Sequence, residues 1–282
     1  MICFPRLGDY GRLGNAMFQY SALLGIADKH GYTPVYDYNK KGSHTTLHEV
    51  FEMSKAEDME HWKQVHGARR IWKEPTYHFT DHVFDKNVIP AIGSAIKEDT
   101  GLNGYFQSEK YFKHIESIIR DEFKFSKEIN QECDEKIKQI KEATNDAKLI
   151  ALHVRLGDYK MLEHVYTPLI KTPYYQEAIV HIENEIDGDA VFIIFSDEIE
   201  VCKQLFQGKN CVFAEGGTEA QDMCLMSKCE HNIISNSSFS WWGAWLNTNE
   251  NKIVMAPNNW FTPNEKDQKN TKDLYCDSWT VI

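Results

Sequence analysis

The sequence predicts an α/β protein built as two Rossmann-like halves facing a central cleft. From Leu149 onward, apolar runs of strand length alternate with single helical segments, the pattern of a parallel sheet covered on both faces. The N-terminal stretch follows the same logic, as loop, helix and strand. With 282 residues, 42% of them apolar, the chain can also fill two cores of ordinary domain size.

Residues Leu13 to His30 read as a helix, because Ala16, Met17, Tyr20, Leu23, Leu24 and Ala27 recur at spacings of three and four. Gly31 ends it, and Tyr32 to Tyr38 reads as a strand. Lys40 to Phe84 mixes histidine, tryptophan and charge without a period and is expected to form helices and loops. Gly101 to Phe106 reads as a short strand. A charged helical region follows from Lys110 to Lys148, clearest from Glu128 to Ala147, and is expected to bridge the halves.

The alternation then becomes regular. Strands are expected at Leu149 to Val154, Val191 to Ser196, Cys211 to Phe213, His231 to Ser235 and Lys252 to Ala256. Helices are expected at Pro173 to Glu185, Ile199 to Gln207, Ala220 to Lys228 and Ser240 to Leu246. The expected division gives an N-terminal domain 1–140 and a C-terminal domain 141–282, with the last residues crossing back.

The formal net charge of -11 argues against a general nucleic-acid or anionic-membrane surface, since both need a basic face. An anionic ligand must therefore be held by a local cluster. No apolar run reaches the roughly 18 to 20 residues needed to span a bilayer. The start, M-I-C-F-P-R-L-G-D-Y, lacks the basic-then-apolar order of a secretory signal. A cytoplasmic protein is expected, with membrane contact at most peripheral. Seven scattered cysteines read as reduced thiols, and Cys224, Cys229 and His231 lack a second pair to complete a zinc site.

Four segments carry candidate chemistry. In I-A-L-H-V-R-L-G-D-Y, Ile150 to Tyr159, a strand end delivers His153, Arg155 and Asp158 together, where α/β folds bind ligands. Arg155 has the planar, permanently charged fork that suits a phosphate. The bland alternative is an arginine paired with Asp158 that ties strand to loop. Gly11 to Gln19, G-R-L-G-N-A-M-F-Q, sets two glycines and an asparagine at a helix start, where amides and dipole favour an anion. It matches neither G-x-G-x-x-G nor the P-loop, which argues against dinucleotide oxidoreductases and P-loop kinases.

In S-N-S-S-F-S-W-W-G-A-W, Ser235 to Trp245, Ser237 and Ser238 suit either a phosphate or a helix cap, and the tryptophans suit a core. Asp222 suits a dipole-favoured cap or a carboxylate accepting N–H bonds from a guanine edge. Asp187-Gly-Asp189 has the spacing of an acidic metal motif but precedes a strand, so it reads as a turn.

Together these segments resemble the family eleven glycosyltransferases, the α-1,2-fucosyltransferases, and more distantly the protein O-fucosyltransferases and α-1,6-fucosyltransferases. The resemblance is carried by G-R-L-G-N-A-M-F-Q-Y at Gly11 to Tyr20, H-V-R-L-G-D-Y at His153 to Tyr159, F-S-D at Phe195 to Asp197, and the long run from Asp222 to Leu246. It implies a GT-B architecture, a GDP-sugar donor on the C-terminal half, an oligosaccharide or glycolipid acceptor on the N-terminal half, and no metal or other cofactor.

By that resemblance Arg155 would bind the β-phosphate and Asn15, beside Gly14, would approach the phosphate or sugar from the opposite half. His153 and Asp222 would hold the ribose or guanine. Ser237, Ser238 and Phe239 would cradle phosphate and pack on the nucleotide, with Asp158 and Asp197 completing the donor side. The implied reaction is inverting transfer of L-fucose from GDP-β-L-fucose to O-2 of a galactose-like sugar. Asp158, Asp9 and Glu163 are the reachable candidates for a base.

Two departures stand out: Leu156 replaces the second arginine of the family's H-x-R-R-x-D, and Ala16 stands where many relatives carry glutamine. They keep two alternatives open: another GDP-sugar as donor, or a non-catalytic glycan-binding module using the tryptophans and histidines of Lys40 to Phe84.

Overall fold

The computed structural model describes residues 1–37, 46–58, 70–85, 100–266 and 268–282. It divides into two compact units, Met1–Lys124 with Gln268–Cys276, and Phe125–Asp267 with Asp277–Ile282. Residues Gln268–Cys276 thus group with the N-terminal unit. The expected division after residue 140, however, falls inside one helix, Lys127–Ala143. That helix is no bridge. Its apolar stripe, Ile129, Cys133, Ile137 and Ile140, joins the second unit's core with Leu149, Ala151, Val191 and Cys224, because an amphipathic helix must bury its stripe.

Among the described residues the first unit holds five parallel strands, β1 (Ile2–Cys3), β2 (Pro34–Tyr36), β3 (Glu57–Asp58), β4 (Arg70–Lys73) and β5 (Thr100–Asn103), in the order β3-β2-β1-β5-β4. β1 is central yet too short to show any periodicity, so sequence reading missed it. The helix Leu13–His30 has the expected bounds and is buried on almost every side. Gly25 explains how closely it packs: a Cβ there would lie 2.1 Å from the carbonyl oxygen of Tyr111. Gly31 stops the helix in the left-handed region at φ 68.

Two buried polar groups organise this unit. Gln19 accepts the Gly8 N–H at 2.9 Å and donates to the Gly104 carbonyl at 3.0 Å. Glu122 accepts from the Tyr20 hydroxyl at 2.5 Å, the Ser54 and Lys55 N–H groups and the Ser54 hydroxyl, so its burial leaves no oxygen bare. Of the irregular stretch from Lys40, the structure describes a short helix, Leu47–Val50, β3, β4 and a 3-10 turn, Asp81–Phe84; positions 38–45, 59–69 and 86–99 lie outside the described residues.

Among the described residues the second unit has six parallel strands: β6 (Lys148–Val154), β7 (Ala190–Ser196), β8 (Cys211–Phe213), β9 (His231–Ile233), β10 (Val254–Ala256) and β11 (Thr280–Val281). Their order is β11-β10-β9-β6-β7-β8. Ile150, Leu152, Val154, Phe192 and Ile194 enter one core while Leu149, Ala151, Val191, Ile193 and Phe195 enter the other, the period-two split of a sheet buried on both faces. Burying each such side chain contributes roughly 1.5–3 kcal/mol.

The chain runs from β6 out to β8, then returns to β9 on the opposite side of β6. Strand order therefore reverses between β6 and β9, and ligands of open α/β sheets bind outside the carboxyl ends at such a reversal. The first unit has its own reversal between β1 and β5. Among the described residues no helix is long and apolar enough to cross a membrane.

Candidate active site

Arg155 follows β6 directly, and its side chain is 12% exposed. Its Nε and Nη2 donate to Asp158 Oδ1 at 3.0 and 2.8 Å, and its Nη1 donates to Asp197 Oδ2 at 3.0 Å. The bland pairing with Asp158 is therefore present, but a second carboxylate from the end of β7 shares the fork. The two acids are held differently. Asp197 Oδ1 also accepts the Leu156 and Gly157 N–H groups at 2.9 and 3.2 Å, and a Cβ on Gly157 would lie 2.5 Å from its Oδ2. Asp158 is half exposed and, among the described residues, hydrogen-bonds through its side chain only to Arg155.

Leu156 is buried in the core with Leu169, Tyr174 and Ile194. The side chain at the position of that second arginine thus faces the hydrophobic interior here. Tyr159, whose ring lies 5.6 Å from the Arg155 guanidinium carbon, stacks on Tyr166 at 4.2 Å and donates to the Asn236 carbonyl at 2.9 Å.

His153 is buried, and burial together with the Arg155 charge pushes its imidazole down to about 3. It is a neutral ring at physiological pH, able to donate at one nitrogen and accept at the other. Its Nδ1 lies 2.8 Å from the Ser235 hydroxyl, and its ring meets Phe239 at 5.5 Å. Ser240 in turn accepts the Ser235 N–H at 3.2 Å. Ser237 caps the helix Ser238–Leu246, its hydroxyl accepting the Phe239 N–H at 3.4 Å, and Ser238 begins that helix. Trp241, Trp242 and Trp245 are core residues, packed on one another at ring distances of 5.0 to 6.4 Å.

Asp222 stands one turn into the helix Glu219–Lys228, which Thr218 caps. Burial lifts its carboxyl to about 6 despite the pull of Lys136. Among the described residues no donor hydrogen-bonds its oxygens, and Gly217 passes so close that a Cβ would lie 3.0 Å from Oδ1. Asp187 and Gly188 lie in a bend before β7, with Gly188 at φ 88, and Asp189 follows it. Among the described residues no three His, Cys, Asp or Glu side chains group as metal ligands.

In the first unit Gly14 is the buried second residue of its helix, and Asn15 follows. Asn15 donates to the Tyr10 carbonyl at 3.2 Å and accepts from Gln107 Nε2 at 2.8 Å. Gly11, at φ 91, leaves room for this: a Cβ would sit 2.0 Å from Asn15 Nδ2. Ser235, Ser240 and Gln107 were not singled out from sequence. The hydroxyls of S-N-S-S-F-S were visible, but only the sheet register says which one faces His153.

The family model for glycosyl transferase family 11 matches residues 8–282. The chain belongs to that family. It is 31% identical to an α-1,2-colitosyltransferase of Escherichia coli, over 96% of each chain. It is 34% identical to the O-antigen biosynthesis glycosyltransferase WbnK of E. coli, over 65% of this chain and 61% of WbnK. It is 24% identical to the galactoside α-(1,2)-fucosyltransferase 2 of rabbit, Oryctolagus cuniculus, over 87% of this chain and 67% of the relative.

The fold is shared with the NodZ α-1,6-fucosyltransferase soaked with GDP-fucose, at a TM-score of 0.53, 14% identity and coverage of 87% and 92%. It is also shared with POFUT1 in complex with GDP-fucose, at a TM-score of 0.55, 14% identity and coverage of 90% and 97%. The architecture is therefore of GT-B type, as expected, and this family member is a glycosyltransferase. That removes the reading as a non-catalytic glycan-binding module.

Proposed function

We propose that this glycosyltransferase moves L-fucose, with inversion, from GDP-β-L-fucose to O-2 of a galactose-like residue on an oligosaccharide or glycolipid, giving an α-1,2 linkage. It would act in the cytoplasm, touching membrane at most peripherally. The observation that carries the reading is Arg155: in a family 11 chain, a shielded guanidinium stands at the carboxyl end of β6, beside the reversal of strand order.

When the acceptor hydroxyl attacks the anomeric carbon from the face opposite GDP, the bond from that carbon to the phosphate oxygen breaks, charge gathers on the β-phosphate, and the hydroxyl proton passes to a carboxylate in reach or to the departing phosphate. A fixed guanidinium meets that charge without a metal, a contribution worth several kcal/mol. Asp197 keeps Arg155 in place, while the phosphate takes the positions on Nε and Nη2 that Asp158 holds. Ser237, Ser238 and the start of their helix face phosphate, and His153 and Phe239 pack against the nucleotide. Asp222, a carboxylate to which no described residue donates, accepts N–H groups from the guanine edge. Gly14 and Asn15 take part in the transfer by the family resemblance.

A second reading keeps every role and changes the sugar. The colitosyltransferase and the rabbit fucosyltransferase share a 1,2 linkage in name but differ in the sugar moved. Colitose lacks only the 3-hydroxyl of L-fucose, so one hydrogen-bonding group decides between them. The test is calorimetric titration with GDP, GDP-fucose, GDP-colitose, GDP-mannose and UDP in EDTA, followed by NMR of the product linkage. Metal-free binding of GDP-fucose and an α-1,2 product are expected; binding of UDP, or of no guanine nucleotide, overturns the reading.

A further inference from the structure

The first unit carries a group of side chains, unassigned apart from Asn15, near its own reversal between β1 and β5. Phe106, three residues past β5, is fully buried and has φ 53, a left-handed conformation that a bulky residue adopts only when its surroundings force it. Glu74, just past β4, supplies the force. Its Oε2 accepts the Tyr105 N–H at 2.8 Å and the Phe106 N–H at 3.0 Å, and Tyr111 donates to its Oε1 at 3.2 Å. Gly104 lets the turn close, since a Cβ there would lie 2.5 Å from the Glu74 Cβ.

The consequence of this strained turn is the placement of Tyr105. It is 42% exposed, and its ring lies 6.2 Å from that of Tyr10, in the loop between β1 and the helix Leu13–His30. Arg6 covers Tyr10 at 4.5 Å and is itself paired with Asp9, so the patch carries no unbalanced cation from that arginine. Beside the rings, Gln107 joins Asn15 to the Tyr77 hydroxyl, forming a line of amide and phenol groups. Gln107 is buried and serves to hold the half-buried Asn15 amide, so the exposed Tyr105 ring, with Tyr10 and Asn15 near it, matches a neutral pyranose: its C–H face packs on the ring and a hydroxyl meets the Asn15 amide.

We infer that Tyr10 and Tyr105, with Asn15 alongside, form a subsite for a sugar ring of the acceptor, and that buried Gln107 and Glu74 are positioning residues, Gln107 holding Asn15 and Glu74 presenting Tyr105. This rests on the proposed transfer to a glycan. The platform is tested by saturation-transfer NMR of methyl β-D-galactopyranoside on wild type, Tyr105→Ala, Tyr105→Phe and Glu74→Ala, alongside acceptor KM, kcat and calorimetric GDP affinity.

Tyr105→Ala is expected to cut saturation of the sugar's C–H protons at least fivefold and raise acceptor KM about tenfold, with GDP affinity and kcat within twofold. Tyr105→Phe is expected to keep the contact. Glu74→Ala is expected to raise KM while the tyrosine remains. No saturation on wild type, or Tyr105→Ala within twofold of wild type in both saturation and KM, overturns the subsite. Absence of GDP binding with sugar saturation intact overturns the donor reading instead.

Discussion

At the reversal of strand order in the second unit, the strand ends carry a guanidinium shared by two carboxylates and a buried neutral imidazole. At the same topological place in the first unit stand two tyrosines, two amides and a glutamate that burial lifts to about 7. The parallel sheet supplies the location in both cases, because loops at the carboxyl ends leave amides and side chains facing outward. Which ligand is taken depends on the residues set there. A permanent cation suits a leaving diphosphate, and aromatic faces with planar amides suit a neutral sugar.

The largest effect expected from breaking this contrast is at Arg155. Arg155→Ala should lower turnover by roughly 100-fold or more with the circular dichroism spectrum unchanged, since a charge-stabilising donor is worth about 3 kcal/mol. Retention of more than roughly a tenth of wild-type turnover would remove its assigned role.

Leu156→Arg should also be severe, but as a loss of stability. A buried leucine replaced by a charge without a partner costs on the order of 3 kcal/mol, read as a lower urea midpoint, with no gain in GDP affinity. A tighter-binding, equally stable variant would mean that the position can face the ligand after all.

The two units should respond to pH with opposite sign. Glu74 ionises near 4.5 in the unfolded chain and near 7 in the folded one, so the folded state holds a proton the unfolded state has released. Stability from this group is complete below about 4.5 and falls by roughly 2–3 kcal/mol as pH rises to 7. His153 is held near 3 against an ordinary 6.5, so its contribution is complete above 6.5 and is lost as pH falls toward 3. Urea unfolding followed from pH 4 to 8 should show Glu74→Gln flattening the first slope and His153→Gln the second; a slope unchanged by its own variant refutes that assignment.

The smallest effect sharpens the picture of Arg155. Because Asp158 competes with phosphate while Asp197 anchors the loop, Asp158→Asn should bind GDP several-fold more tightly and Asp197→Asn more weakly. Calorimetry reads both, and weaker binding by Asp158→Asn would make it a support of the arginine rather than its competitor.

Much of the second unit was legible in the residue order. Strands β6 to β10 and the helices between them lie within two residues of their expected bounds, because each buries a face or a whole strand whose apolar period is local. The first unit was less so. β1, two residues long, and β3 and β4, set in an irregular stretch, show no period, and their role comes from the neighbours they pair with.

The candidate site divides along the same line. The sequence by itself determined the family, the alternation of strands and helices, and the placement of His153, Arg155 and Asp158 at one strand end. Only the tertiary structure decided that Asp197 shares Arg155, that Ser235 rather than Ser237 faces His153, that Leu156 turns into the core, and that Glu74 bends the chain at Phe106. Those choices join residues far apart in the chain, and sheet order and register set them; a local pattern records only whether its own face is buried.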